Sequence, residues 1–147
     1  MGLTPSGGKN SQGLQLLQAV RQGVVRAERY VRNPKELLQL LTVAEQRLDR
    51  LAAGPLTPLK EDLQTLLRMM RASGEGRYQQ VSKKNLVLAG LGVLYLVSPL
   101  DVIPDFLPGG FADDAAVIGF VVKKVRGELT AFEAWEQDRG DGPVLDV

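Results

Sequence analysis

Hydrophobic residues recur every three or four positions in the first part of the chain, which is the spacing of a helix with one apolar face. The first such segment ends at Asn33-Pro34, because proline disfavours helical geometry in the residue before it. Its apolar positions are Leu16, Val20, Val24, Ala27 and Val31, and the arginines between them are Arg21, Arg26, Arg29 and Arg32. The pattern predicts an amphipathic helix with a basic surface.

Two further segments carry a 4,3,4,3 hydrophobic spacing, which is typical of helices packed nearly antiparallel on their neighbours. Asn33 is a suitable cap for the first of them, with Pro34 at its first helical position. Thr57, followed by Pro58 and acidic residues, is predicted to open the next helix, which closes near Ser73. The apolar positions are Leu37, Leu41, Ala44, Leu48 and Leu51 in the first segment, and Leu59, Leu63, Leu66 and Met70 in the second.

Beyond Ser82 the pattern changes, since residues 85–97, NLVLAGLGVLYLV, are apolar on every side. Such a helix is buried all round, either inside a bundle or in lipid. Pro99 marks its end, and a long 4,3 spacing follows after a loop: Phe111, Ala115, Ile118, Val122, Val125, Leu129 and Phe132, with Val117, Phe120 and Val121 expected to be enclosed on the other side. We therefore predict an all-α fold, a small bundle of about five helices with a C-terminal apolar helical hairpin.

The length of 147 residues fits one domain. We expect a disordered tail at residues 1–12, a single helical domain at residues 13–137 with the apolar hairpin at residues 83–132, and a disordered tail at residues 138–147. The chain has no cysteine and no histidine. Disulfides, thiolate chemistry, histidine-based triads and the usual zinc sites are therefore excluded. The first residues lack an apolar core, so no secretory signal is predicted and the protein is expected to begin in the cytosol.

Charge is unevenly distributed along the chain, although the net charge is only +1. Residues 1–85 hold 14 Lys and Arg against 7 Asp and Glu, whereas residues 86–147 hold 4 against 10. Opposite charges on the two parts favour either pairing between them or a basic face offered to an anionic partner.

The junction between the two apolar helices, SPLDVIPDFLPGGFADD at residues 98–114, carries four aspartates, three prolines and two glycines. One interpretation is helix capping, because short polar side chains and prolines are common at helix starts and carboxylates there are stabilised by free backbone N–H groups. The residues concerned are Ser98, Pro99, Asp101, Pro104 and Asp105 in the loop, and Asp113 and Asp114 at the start of the last helix.

A second interpretation gathers the carboxylates of Asp101, Asp105, Asp113 and Asp114 around one cation. Magnesium or calcium would be the cofactor, since both prefer oxygen ligands, and no other cofactor is indicated. The spacing matches no calcium-loop motif, and no nucleophile or base accompanies it. A third interpretation pairs these acids with the arginines of the first helices.

The sequence around this loop resembles the YkvA-like domain-of-unknown-function family. The resemblance rests on residues 95–125, where a Ser-Pro-x-Asp-x-Ile-Pro-Asp-Phe loop precedes an Asp-Asp pair at the start of the next helix. It extends less sharply over residues 59–135, and PGGF here replaces a more apolar approach to the Asp pair. The resemblance implies a small helical, mostly bacterial protein, often predicted to be membrane-associated, and brings no established activity, substrate or catalytic residue.

The apolar helix is short for a membrane span, because the thirteen residues at 85–97 rise about 20 Å against a hydrocarbon layer of roughly 30 Å. Even so, membrane association by the hairpin is favoured, since three amphipathic helices are expected to cover only part of two apolar segments. Two basic clusters, Lys83-Lys84 and Lys123, Lys124 and Arg126, are expected at the open end of the hairpin, as for cytoplasmic termini.

The leading functional prediction is a non-enzymatic scaffold or adaptor, membrane-associated with cytoplasmic termini, that inserts its hairpin into the bilayer. One alternative is a cytoplasmic helical interaction module with the hairpin as its core. Another is a divalent-cation-dependent binding protein or hydrolase that uses the four aspartates. Membrane lipid is the expected partner, assisted by the arginines of the first helix. Nucleic acid is not expected, because no aromatic residues alternate with these arginines.

Overall fold

The computed structural model describes residues 17–18, 20–50, 57–97 and 110–139, with side chains in the last range described from Val117 to Asp138. Residues 17–18 are helical and precede α1, residues 20–31. The other elements are α2, Pro34–Arg50, a 3₁₀ turn, Thr57–Leu59, α3, Lys60–Gly74, α4, Lys83–Val97, and α5, Gly110–Arg139. These ranges contain no strand, and the predicted all-α bundle is confirmed. The predicted N-terminal tail and residues 140–147 lie outside the described residues.

The junction of α1 and α2 is capped as the sequence predicts. The Asn33 side-chain oxygen accepts a hydrogen bond from the Glu36 backbone N–H at 3.4 Å, and its carbonyl accepts one from the Leu37 N–H at 2.9 Å. Pro34 takes the first helical position, where a missing N–H has no consequence.

The start of α3 differs from the prediction. Thr57 opens a 3₁₀ turn and does not cap the α-helix, which begins only at Lys60 after Leu59, with no side-chain cap hydrogen bond. Glu61 and Asp62 in the first turn still face the positive end of the helix dipole.

A left-handed glycine ends α3. Gly76 has a φ of +81°, which a residue with a side chain rarely adopts. Its N–H bonds the Ser73 carbonyl at 3.1 Å, and the Arg77 N–H bonds the Ala72 carbonyl at 2.9 Å. This is the Schellman pattern, and it directs Tyr78 into the core.

Helix α4 is the central element of the bundle. Its residues 89–96 are all buried. A Cβ added at Gly90 would lie 3.3 Å from the Cβ of Ala27 in α1, and one added at Gly92 would lie 3.1 Å from Cγ1 of Val121 in α5. Positions two apart on a helix point about 200° from each other, so α1 and α5 pack on opposite sides of α4. The expectation that the amphipathic helices leave much of this segment uncovered is therefore wrong for α4.

Helix α5 buries the predicted apolar positions from residue 118 onward, namely Ile118, Val122, Val125, Leu129 and Phe132, together with Val121. Phe120 is an exception, because 53% of it is exposed although it was expected to be enclosed. It lies two residues from both Ile118 and Val122 and so points away from the buried face.

The register of the hairpin follows from two contacts between α4 and α5. Gly92 faces Val121, and the Asn85 side-chain amide donates to the Glu128 carboxylate at 2.8 Å. Both pairs have the same sum of residue numbers, as in a regular antiparallel pairing. This register places Lys123 beside Gly90, about seven residues or roughly 10 Å from the level of Lys83. Lys123 and Lys124 thus lie near mid-height, not at the open end of the hairpin as predicted.

Charge pairs join the outer helices. Arg68 of α3 binds Glu136 of α5 through two hydrogen bonds, 2.9 Å from Nε to Oε2 and 3.1 Å from Nη2 to Oε1. Arg71 binds Glu45 of α2 in the same bidentate way. The Arg68–Glu136 pair joins the basic first part of the chain to the acidic second part, so some of the uneven charge is paired internally.

Candidate functional site

The predicted aspartate site falls largely outside the described residues. Asp101 and Asp105, with Ser98, Pro99 and Pro104 of the loop motif, lie outside them altogether. The backbone places Asp113 and Asp114 at the fourth and fifth residues of α5, while their side chains are not described. Capping, cation binding and pairing with arginines therefore stay predictions for these four residues. Among the described residues, no three or more His, Cys, Asp or Glu side chains form a group that could hold a metal ion.

The C-terminal end of α4, directly before the loop, is bonded to α2. Nε of Arg47 donates to the Leu96 carbonyl at 3.1 Å, across 49 positions of sequence. The carbonyl belongs to the last turn of α4, where backbone acceptors lack helical partners and the dipole favours a cation. No local sequence pattern predicts this contact, because it depends on how α2 packs against α4.

An open groove of about 460 Å³ lies beside this helix end, between α1, α2 and α4. Val43 is half exposed in it, and Glu36 is the one carboxyl group among the described residues that line it. The lining residues are Tyr30, Glu36, Gln39, Leu40, Val43 and Val97. Apart from Glu36, the described residues that line the groove are uncharged and mostly apolar, which suits a contact surface.

Three aromatic rings, two buried and one partly buried, form a cluster between the α3–α4 connection and α5. The Tyr78 ring centroid lies 5.0 Å from that of Phe132, edge to face, and 4.9 Å from that of Trp135. The Tyr78 hydroxyl is buried without a hydrogen-bond partner among the described residues. Burial raises the pKa of the Tyr78 phenol above its usual value of 10.0, and the negative charge of Glu128 raises it further. Tyr78 therefore stays neutral and serves packing.

Next to this cluster, Glu128 of α5 is hydrogen-bonded to the start of α4. Its Oε2 accepts hydrogen bonds from the Asn85 side chain at 2.8 Å and from the Ser82 backbone N–H at 3.3 Å. Ser82 in turn caps α4 by accepting from the Asn85 N–H at 3.2 Å. The carboxylate is thus held by structural contacts at the base of the hairpin.

Two exposed surfaces combine apolar and basic side chains, and they lie on opposite sides of α4. The outer face of α1 presents Leu17 and Val25, exposed by 64% and 52%, between exposed arginines. The outer face of α5 presents Phe120 with Lys123 and Lys124, and Nζ of Lys124 lies 5.4 Å from the Phe120 ring centroid. Basic residues around exposed apolar side chains are typical of surfaces that contact membranes.

No helix in the described ranges combines the length and the apolar character required to cross a membrane.

Comparison with known proteins gives a match to a family model and to a bacterial relative. The family model described as Protein of unknown function (DUF1232) matches residues 85–120, which contain most of α4, the loop and the start of α5. The chain is also 40% identical over 76 residues to the Uncharacterized membrane protein YkvA of Bacillus subtilis (strain 168). That alignment covers 51% of this chain and 72% of the relative. No solved structure matches the chain significantly.

Both matches agree with the loop motif that suggested the resemblance. The family model includes all the loop residues, and the alignment to the relative is longer than the stretch that the family model matches. With 40% identity across nearly three quarters of the relative, the chain belongs to the YkvA-like family of proteins of unknown function.

Proposed function

We propose that this protein is a non-enzymatic, membrane-associated adaptor that binds other molecules with the surface of its folded helical bundle. The observation that carries the proposal is the 40% identity to a relative named as a membrane protein. Basic and apolar side chains exposed together on α1 and on α5 support it, because such surfaces suit an anionic membrane.

The folded bundle is the form that we propose to associate with the membrane. Insertion of the α4–α5 hairpin would separate α4 from α1, α2 and α3, and its buried residues 89–96 would have to exchange protein contacts for lipid. The close approach of Gly90 to Ala27 would be lost in that process. Peripheral binding keeps these contacts, so we favour it over insertion of the hairpin.

A binding function is also more consistent with the ionisable groups than a catalytic one. The sequence contains no histidine or cysteine to serve as a base or nucleophile. The carboxylates of Glu45, Glu128 and Glu136 are each bonded to side chains of the bundle and so have structural partners.

Cell fractionation tests the proposal. The tagged full-length chain is expressed, and membranes are floated in a density gradient to separate bound protein from aggregates. We expect the protein in the membrane fraction, with release by high salt or by alkaline carbonate. Retention after both washes would support insertion of the hairpin instead. Recovery of all the protein in the supernatant at low salt would contradict membrane association.

A further inference from the structure

We propose that the outer face of α1 is the surface that contacts anionic lipid, an inference that rests on the proposed membrane association. The outer face of α1 comprises Arg21, Val25 and Arg29 of the helix, with Leu17 before it and Arg32 directly after it, and all five are exposed. Arg21 and Arg29 lie one helical turn before and after Val25, so an aliphatic side chain is flanked by two cations on one surface.

Packing of the inner face fixes the orientation of α1. Ala27 is fully buried against Gly90 of α4, and Val20, Val24 and Tyr30 are partly buried against the core. The outer face consequently points away from the bundle and is open to a partner. Within α1, Arg21 and Arg29 are about 12 Å apart along the helix axis, so they can lie together on a flat membrane surface.

The arginines of this face differ from several others in the bundle. Arg68, Arg71 and Arg126 each bind a carboxylate of a neighbouring helix. The side chains of Arg21 and Arg29, in contrast, make no hydrogen bond or ion pair with the part of the chain that the structure describes, and the same holds for Arg32. Glu28 is the one acidic residue of α1. Glu28 is exposed on the same side, but three arginines against one glutamate leave the face with a net positive charge, which is attracted by the negative surface potential of an anionic bilayer.

A lipid surface fits this face better than other anionic or apolar partners. A second copy of the chain would bring arginines against arginines. The phosphates of a nucleic acid could pair with the arginines, but they would leave the exposed aliphatic side chains of Leu17 and Val25 without an apolar partner. Aliphatic side chains beside arginines suit the boundary between acyl chains and headgroups.

The outer face of α5 is the competing surface, and it provides matched controls. It carries two lysines and one aromatic ring, and Lys124 is already placed over the Phe120 ring. Because α1 and α5 pack on opposite sides of α4, the folded bundle cannot lay both faces on one bilayer. Variants of α5 therefore change the charge of the protein without changing the outer face of α1.

Binding of the full-length protein to vesicles tests the charge contribution. Vesicles of phosphatidylglycerol mixed with phosphatidylcholine are compared with phosphatidylcholine alone, and partition is measured by flotation. The double variant R21Q/R29Q should weaken binding to the anionic vesicles by roughly thirtyfold. K123Q/K124Q removes the same charge from the opposite side and should bind as the wild type does.

A second pair of variants tests the apolar contribution. Val25 and Val43 are exposed by 52% and 48%, but Val43 lies on α2, away from the outer face of α1. Val25→Ser should weaken partition by roughly fivefold, because a branched aliphatic group no longer enters the interface. Val43→Ser should leave partition unchanged. Circular dichroism confirms that all four variants fold.

The outcomes separate this inference from the proposed function. If the wild type is absent from cell membranes and from anionic vesicles, both fail. If it is found on cell membranes but does not bind vesicles, or if R21Q/R29Q binds vesicles like the wild type, the lipid contact by α1 is wrong and membrane association stands. An equal loss in R21Q/R29Q and K123Q/K124Q would indicate a response to net charge and would also overturn the inference.

Discussion

At the scale of single residues, the aromatic cluster shows that a hydroxyl group can be buried because the ring that carries it packs in the core. Tyr78 packs against Phe132 and Trp135, and its hydroxyl finds no partner among the described residues. A buried polar atom without a hydrogen bond costs free energy, whereas the ring contacts stabilise the fold.

Tyr78→Phe tests this balance directly. We expect the variant to be as stable as the wild type or more stable by about 1 kcal/mol, because it removes an unpaired hydroxyl and keeps the ring. Urea denaturation followed by circular dichroism gives the free energy of unfolding. Tyr78→Ala is the comparison, and it should lose about 3–5 kcal/mol because a large cavity remains. A clear loss of stability in Tyr78→Phe would show that the hydroxyl has a partner.

The raised pKa of Tyr78 makes a prediction for alkaline pH. Because the pKa is higher in the folded state than its usual value of 10.0, the contribution of Tyr78 to stability is complete below about pH 10. That contribution is lost as pH rises through the folded-state pKa. Denaturation measured between pH 8 and pH 11 should show a steeper loss for the wild type than for Tyr78→Phe. Equal slopes for the two proteins would contradict the effect of burial.

The loop aspartates lead to a separate prediction at this scale. The capping interpretation expects Asp113→Asn to lose about 0.3–1 kcal/mol of stability, since the carboxylate interacts with the dipole near the start of α5. It also expects no change in Tm on addition of magnesium or calcium. A rise in Tm with either cation, abolished by D101N/D105N but not by the control D49N/D138N, would favour the cation interpretation.

At the scale of elements, glycines set how closely α4 approaches its neighbours. Gly92 meets the stiff side chain of Val121, which is itself buried, whereas Gly127 on the outside of α5 has nothing within 4 Å of an added Cβ. Replacement of the glycine by alanine is therefore expected to change the stability in opposite directions at the two sites, although alanine favours a helix at both.

Gly92→Ala and Gly127→Ala form the corresponding pair of variants. Gly127→Ala should stabilise the protein by about 0.5–1 kcal/mol through helix propensity alone. Gly92→Ala should destabilise it by about 1–2 kcal/mol, because the added methyl group overpacks the contact with Val121. Thermal and urea denaturation of both variants measure these changes in stability. An equal gain in stability at both positions would show that α4 and α5 can separate without cost.

Much of this architecture follows from periodicity, and the exceptions have physical reasons. The spacing of apolar residues predicted the helices and most of their buried positions, and Asn33 marked a real cap. Thr57 was misleading, since Thr-Pro suits a 3₁₀ turn as well as an α-helical cap. Phe120 was misassigned because an apolar residue next to a buried face does not reveal whether protein covers it.

Features that depend on tertiary packing were not predictable from local sequence. Arg68 and Glu136 are 68 positions apart, and their pairing follows only from the docking of α3 against α5. The same holds for Arg47 and the end of α4. For the candidate site, the loop motif identified the family. The spacing of the four aspartates along the chain, however, does not show whether their carboxylates lie close together in the fold. The basic surface of α1, in contrast, was readable from its arginines.

At the scale of the whole molecule, the enclosure of α4 separates the two modes of membrane association. In the folded bundle, the amides of residues 89–96 lie at the centre and can exchange only when the bundle opens.

Hydrogen exchange on vesicle-bound protein therefore distinguishes the modes. If the bundle binds as a folded unit, the amides of α1, α2 and α3 should keep the same protection on anionic vesicles as in buffer, and so should those of α4. If the hairpin inserts, the amides of α4 would stay protected from exchange by the lipid. The amides of α1, α2 and α3 would lose their packing against α4 and exchange faster. Faster exchange in α2 and α3 on vesicles, with α4 unchanged, would contradict the peripheral mode.

The bond from Arg47 to the Leu96 carbonyl also bears on how the protein responds to mechanical load. A pulling force applied through the chain beyond Val97 reaches the last turn of α4 first, and that turn is tied sideways to α2. Tension is therefore shared between two helices, and we expect α4 to resist unwinding from this end. A partner that binds the loop and pulls on it would therefore transmit the force to both α4 and α2.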